Sequence, residues 1–242
     1  MSIPKIIHYC WFGENEKSYN TVEFIKKWRL LNPDFEIKEW NETNFDVNIN
    51  AYVREAYNAQ KWAFVSDFAR LYALYNYGGI YLDTDVDEVK SFNSLLNHVA
   101  FIGTESQFSM CTATIGSEMH SKFIKEIMDS YNEKHFIFKG EMDTIPNSQR
   151  IYQILSNNYR YKYSENVIQN LGVCIVYPSD YFSPINCYTY REEITDNTIS
   201  IHRYAGTWKS RKEKRKDKIM GLLTRVIGEN RRDAIKKMIK NK

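Results

Sequence analysis

The sequence predicts an α/β fold. Three observations carry that expectation: a strand–helix–strand succession over residues 4–40, a long helix that is apolar on nearly every side, and a short apolar strand that follows it and runs into alternating carboxylates. Pro4 to Cys10 reads as the first strand, closed by a loop at Trp11-Phe12-Gly13. Ser18 to Leu31 has helical spacing through Val22, Ile25, Trp28 and Leu31, and Asn32-Pro33-Asp34 stops it. Phe35 to Trp40 alternates as a second strand. The spacing then predicts a buried helix over Asn58 to Tyr77, with Gly78 as its C-terminal cap and Ile80-Tyr81-Leu82 as the next strand. Further strands are expected at Val99–Gly103, Val173–Tyr177 and Thr198–His202, and helices at Met119–Tyr131 and Pro146–Asn157.

Composition narrows the class. The chain has 242 residues, enough for one substantial core, and no Pro-, Gly- or Ser-rich linker divides it. The expected organisation is one domain over residues 1–208 and a basic helical tail over 209–242. Cys10, Cys111, Cys174 and Cys187 form no Cys-x-x-Cys pair and have no His at zinc spacing, which argues against a thiol redox site or a structural zinc. The N-terminus has no room for a signal-peptide apolar region, and the longest uncharged stretch, Asn166 to Ser179, falls short of the ~20 residues a membrane span requires. A cytoplasmic protein is expected.

Charge is segregated along the chain. From Lys209 onward there are 14 Lys or Arg against 4 Asp or Glu, whereas residues 1–208 carry 19 basic and 26 acidic side chains. The tail therefore has a net charge of +10 and the body −7. Behind Lys209–Lys218, the residues Ile219, Leu222, Leu223, Val226, Ile227, Ala234 and Met238 follow helical spacing. A basic amphipathic segment of this kind suits an anionic membrane surface, at about 1 kcal/mol per basic residue. A helix packed on its own domain or on a partner fits the same pattern. Nucleic acid is not expected as a partner, because the body is acidic and holds no recognition module.

The segment Gly78-Gly79-Ile80-Tyr81-Leu82-Asp83-Thr84-Asp85-Val86-Asp87 carries the chemistry. Asp83 falls where a strand leaves the sheet, the place where ligands collect in open α/β sheets. Crowded carboxylates repel unless a cation or hydrogen bonds offset the repulsion, and hard oxygen donors point to Mg²⁺, Mn²⁺ or Ca²⁺. An EF-hand loop fails at Glu88 and Ser94, and Gly78-Gly79 is no phosphate loop. Asp83-Thr84-Asp85-Val86 also fits a haloacid-dehalogenase-type phosphatase with Asp83 as nucleophile, although no second acidic pair follows it. The acidic string with the basic tail fits a non-catalytic cation- and membrane-binding module as well. Spacing alone leaves both open.

Four blocks in one order carry a resemblance: Ile6-Ile7-His8-Tyr9-Cys10-Trp11-Phe12-Gly13, Ser66-Asp67-Phe68-Ala69-Arg70, the Gly-Gly-Ile-Tyr-Leu-Asp-Thr-Asp string, and His202 to Trp208. Together they resemble the sugar-transferase family that contains the Asp-x-Asp motif, glycosyltransferase family 32, with relatives among capsule-synthesis enzymes, mannosyltransferases and clostridial glucosylating toxins. The resemblance implies a GT-A-like, Rossmann-like nucleotide-sugar-binding domain with a mixed central sheet flanked by helices. It implies a retaining transfer of a hexose from a UDP- or GDP-sugar, UDP being favoured, with Mn²⁺ or Mg²⁺. The acceptor expected is a saccharide, lipid-linked, in bacterial capsule or surface polysaccharide synthesis at the inner face of the cell membrane.

By the same resemblance Asp85 is the direct metal ligand, Asp83 touches the metal or the ribose, and His202 completes the metal shell. Trp11 stacks the base, Asp67 and Arg70 hold sugar and ribose hydroxyls, and Trp208 contacts the diphosphate or closes the site. An Asp–Arg pair three residues apart is ordinarily a weak solvated contact, but on a helix apolar nearly all round it must face a cleft or another polar group. The chain departs from the family at Asp143-Thr144-Ile145-Pro146, where relatives often show Gly-Pro, and at Thr207, where a Ser is expected. His8 is expected in the core, and Asp87 in support of its neighbours.

Overall fold

The computed structural model describes residues 2–206 and 211–227. A mixed seven-stranded sheet forms its centre, with strand order β2-β1-β3-β6-β5-β10-β9. The first strands are β1 (Ile6–Cys10), β2 (Glu36–Trp40) and β3 (Gly79–Leu82). After β4 (Val86–Glu88) come β5 (Ala100–Ser106), β6 (Ser109–Ser117) and a small hairpin, β7 (Ile137–Phe138) with β8 (Glu141–Met142). The last are β9 (Gln169–Asn170), β10 (Ile175–Tyr177) and β11 (Ser200–His202). β1 is parallel to β2 and β3, β5 is parallel to β10, and β6 runs antiparallel between β3 and β5.

The helices are α1 (Tyr19–Leu31), α2 (Ala51–Asn58), α3 (Trp62–Tyr77), α4 (Lys122–Asp129), α5 (Asn147–Asn158), the short α6 (Ser179–Phe182) and α7 (Arg211–Ile227). Ser18 caps α1 by accepting from the Thr21 N–H at 3.2 Å. Helices cover both sheet faces, as β3 shows: Ile80 and Leu82 join the cluster around Trp28 of α1, while Tyr81 joins the cluster around α2 to α5. Alternation along one strand thus feeds two cores. At the end of α3, Gly78 and Gly79 take φ values of +63° and +100°, and a Cβ on Gly79 would stand 2.5 Å from the Ile6 carbonyl oxygen. Only glycine makes so sharp a turn from helix into strand beside β1.

Two expectations need correction. The helix expected over residues 58–77 begins only at Trp62, and a separate helix, α2, precedes it. Gln60, at φ 56°, breaks the run, and the Asn50 side chain starts α2 by accepting from the Val53 N–H at 2.8 Å. Apolar spacing alone does not register a left-handed residue between two helices of compatible phase. β6 was not anticipated: its sequence, Ser-Met-Cys-Thr-Ala-Thr-Ile-Gly-Ser, is poor in bulky apolar residues yet almost wholly buried between two strands. Gly116 shows the reason, since a Cβ there would lie 2.0 Å from the Phe101 ring.

His8 is buried, as expected. Its Nε2–H donates to the Gly78 carbonyl at 2.7 Å, and Nδ1 accepts from Trp40 Nε1 at 3.1 Å. Burial lowers its pKa to about 4, so the ring is neutral and ties β1 to the α3–β3 turn. On the tail, α7 packs back onto the body: Arg225 donates through Nε to the Thr189 carbonyl at 2.6 Å and through Nη2 to the Tyr190 carbonyl at 3.1 Å. Among the described residues no helix is long and apolar enough to cross a membrane. Ala234, Met238 and Trp208 lie outside the described residues.

Candidate active site

β1 and β3 end side by side, and their carboxyl ends open into a cavity of about 660 Å³. Cys10, Trp11 and Phe12 line it from β1, and Trp62, Ala63, Ser66 and Arg70 from α3. Tyr81, Asp83, Thr84 and Asp85 line it from the end of β3, with His202 and Tyr204 opposite. A two-stranded ladder brings the last two across: β4 and β11 pair antiparallel with His202 opposite Val86. A histidine 117 positions away is thereby set next to Asp85.

One donor atom from each of Asp83, Asp85 and His202 lies within 4.8 Å of the others. Each carboxylate is half engaged. Asp83 Oδ1 accepts from the Tyr81 hydroxyl at 2.8 Å and lies 3.3 Å from Arg70 Nη2, while Asp85 Oδ2 accepts from the Ala205 N–H at 2.8 Å. His202 Nε2 lies 3.5 Å from Asp85 Oδ1, the carboxylate oxygen that the Ala205 N–H leaves free. Two hard oxygen donors and one imidazole at this spacing fit a divalent cation such as Mn²⁺ or Mg²⁺.

Electrostatics agree with a site short of positive charge. Burial opposes an imidazolium at His202, but Asp85 and then Glu105 outweigh it and raise the pKa to about 10. Burial raises the Asp85 carboxyl, and the opposing pull of His202 and the Ala205 N–H leaves it below the usual range. Glu105 is likewise held down against burial, chiefly by His202. A divalent cation held by these residues would take over the role of the His202 proton and displace it.

Arg70 is buried and engaged at all three of its nitrogens. Its Nη1 donates to the Thr112 carbonyl at 2.8 Å and Nε to the Ser66 carbonyl at 3.3 Å, and Nη2 lies 3.0 Å from Asp67 Oδ1. Asp67 stands one layer back: it is not among the residues lining the cavity, and it also accepts from the Asn147 N–H at 3.4 Å. Burial pushes its pKa up to about 6 although Arg70 opposes. Asp87 faces away from the carboxylate pair, bridging Lys27 and Arg203 at 2.6 Å each, and so braces β4 and β11. Trp11 presents its ring to the cavity, with Nε1–H fixed on the Asn15 carbonyl at 2.6 Å.

Several lining residues escaped the sequence reasoning. Trp62 enters because Gly13, at φ +94°, carries no side chain; a Cβ there would stand 2.7 Å from the indole. Tyr204 lines the cavity beside His202, and Glu105 stands behind both, outside the lining. For Glu105 the sequence offers no pattern, since it is a single acidic residue behind Gly103-Thr104.

A mixed sheet with its acidic cluster at the β3 end is the architecture of GT-A-like α/β glycosyltransferases. Residues 18–102 match the family described as the glycosyltransferase sugar-binding region containing DXD motif. That segment holds Asp67, Arg70, Asp83 and Asp85, while Trp11 and His202 lie outside it. Among curated proteins, the chain is 29% identical over 135 residues to inositol phosphoceramide mannosyltransferase 3 of Schizosaccharomyces pombe (strain 972 / ATCC 24843), covering 52% of this chain and 36% of that protein. It is 33% identical over 110 residues to inositol phosphoceramide mannosyltransferase 1 of the same organism, covering 41% and 33%. The chain thus spans about a third of the length of these relatives. Among solved structures, the PaToxG glycosyltransferase superposes with a TM-score of 0.55 at 20% identity over 66% of this chain and 70% of that one, a likeness of fold.

Proposed function

We propose that the protein transfers a hexosyl group from a nucleoside-diphosphate sugar to a saccharide acceptor with a divalent metal ion. The observation that carries this is the convergence of Asp83, Asp85 and His202 on one face of a cavity whose walls include Trp11, Trp62 and Arg70. A bound cation supplies positive charge to the departing diphosphate, a contribution of several kcal/mol. Asp83 and Asp85 hold it, with Mn²⁺ favoured over Mg²⁺ because His202 adds a nitrogen donor. Arg70 keeps a fixed charge beside Asp83, set by Asp67, and orients donor hydroxyls. Trp11 offers a face to the base, and stacking of this kind is worth ~1–3 kcal/mol. No carboxylate is assigned as nucleophile, in keeping with a retaining, front-face transfer.

The phosphatase reading loses its support, because the matched segment is a glycosyltransferase sugar-binding region. UDP is the favoured nucleotide, and the names of the relatives add mannose to the candidate sugars. Those names also describe a lipid acceptor, which supports a lipid-linked saccharide here. We place the reaction in bacterial surface polysaccharide assembly on the resemblance of the sequence blocks. α7 supports attachment to the inner face of a membrane: Gly221 and Thr224 are buried and Arg225 reaches back to the body, whereas Lys212, Arg215, Lys216, Ile219 and Leu222 are exposed.

A panel of UDP- and GDP-hexoses incubated with Mn²⁺ tests the assignment. Slow hydrolysis of one donor, abolished by chelation, is the expected result. Hydrolysis of none, together with no metal-dependent binding of UDP or GDP, would overturn it.

A further inference from the structure

Glu105 lies outside the cavity lining, yet it stands directly behind His202 and Tyr204. It sits in β5 where pairing with β6 slips: Thr104 faces Met110 and Ser106 faces Ser109, which leaves Glu105 unmatched at a bulge. Bulges beside functional sites re-aim a side chain. Here the carboxylate turns inward under β11. Its Oε2 accepts from the Ser109 hydroxyl at 2.7 Å and its Oε1 from the Tyr204 hydroxyl at 3.0 Å. Oε1 also lies 3.6 Å from His202 Nδ1, a buried nitrogen with no hydrogen-bond partner.

Tyr204 closes the arrangement from the other side. Its ring centroid is 4.1 Å from that of His202, and its hydroxyl also meets Ser183 at 2.8 Å. Holding Tyr204 there requires φ 50°, a conformation that a bulky residue adopts only where surrounding contacts impose it. The same turn delivers the Ala205 N–H to Asp85.

We propose that Glu105 is the positioning residue of the metal site. Its carboxylate stands as the acceptor facing the Nδ1–H of His202, which keeps the proton on Nδ1 and leaves Nε2 for the space beside Asp83 and Asp85, and it anchors the Tyr204 turn through the hydrogen bond from that hydroxyl. An imidazole that rotates freely presents its Nε2 only part of the time; one held by a carboxylate presents it always and is the more basic ligand. Partners of this kind are worth about 10–100-fold in metal affinity. The inference rests on the metal assignment proposed above.

The test is Mn²⁺ affinity without nucleotide, read as free Mn²⁺ by electron paramagnetic resonance, for wild type, Glu105→Gln, His202→Ala and the double variant. Glu105→Gln keeps the size and most hydrogen bonds but loses the charge. It is expected to weaken Mn²⁺ by about 10-fold or more with an unchanged circular dichroism spectrum, and to add nothing in the His202→Ala background. Wild-type affinity in Glu105→Gln, or an equal loss with and without His202, would overturn the inference and leave the metal site standing. Absence of Mn²⁺ binding by wild type would overturn the metal assignment, and this inference with it. Should Glu105→Gln fail to fold, Ser109→Ala replaces it. That variant keeps the carboxylate while freeing one oxygen, with a severalfold loss expected and no loss counting against the proposal.

Discussion

Replacing Arg70 by Met tests whether the centre of the site is held by charge. The guanidinium is buried, with Asp67 at 3.0 Å and Asp83 at 3.3 Å, and it satisfies two backbone carbonyls. Its removal leaves two carboxylates without their cation and the Thr112 and Ser66 carbonyls without these donors. Breaking a buried ion pair on one side costs about 3–5 kcal/mol. For a domain of this size that corresponds to a fall in melting temperature on the order of 10 °C. The loss should shrink at about pH 5. Asp67 already sits near a pKa of about 6 because of burial, and without Arg70 it rises further and takes up a proton. Combining Arg70→Met with Asp67→Asn should restore part of the stability at neutral pH, since one orphaned charge is gone. Thermal unfolding followed by circular dichroism at both pH values measures all of this. A melting temperature unchanged by Arg70→Met, or a loss larger at acidic pH, would refute the reasoning.

Three further outcomes are expected. Asp85→Ala should abolish metal-dependent donor turnover while leaving the circular dichroism spectrum of the folded chain unchanged; undiminished transfer would remove Asp85 from the site. Glu88 is buried with one oxygen on Asn32 Nδ2 at 2.7 Å and the other unpaired, and burial pushes its pKa up to about 8. The folded state therefore binds a proton that the unfolded state releases near pH 4, and stability falls as pH rises from about 4 to about 8. Glu88→Gln should flatten this dependence and be more stable than wild type above pH 8, as read from denaturant midpoints. Finally, changing Lys212, Arg215 and Lys216 to Glu should abolish sedimentation with vesicles rich in anionic lipid without altering UDP binding; retained sedimentation would exclude the outward face of α7.

The sequence exposed those parts of the fold whose signals are local. β1, α1 and β2 are marked by apolar period, by Ser18 and by Asn32-Pro33, and their boundaries agree within a residue or two. Asp83 and Asp85 were legible because carboxylates rarely crowd at a strand end without a cation. β6 was hidden because its burial comes from neighbours on both sides, which demand small residues where bulk is the usual signal. Glu105 was hidden for a related reason: a single acidic residue has no pattern, and only a slip in β-pairing turns it beneath His202. His202 itself came from resemblance, because no period in the chain connects it to Asp85.

The β4–β11 ladder makes His202 a late arrival beside the carboxylate pair. Every residue of the carboxylate pair is in place once β3 is made, but the imidazole reaches it only after nearly the whole body has been synthesised and β11 has docked. A nascent or truncated chain that stops short of that strand carries the acidic motif without the grip. Such a fragment should bind Mn²⁺ more weakly than the full chain, a difference that titration of both with the metal would read.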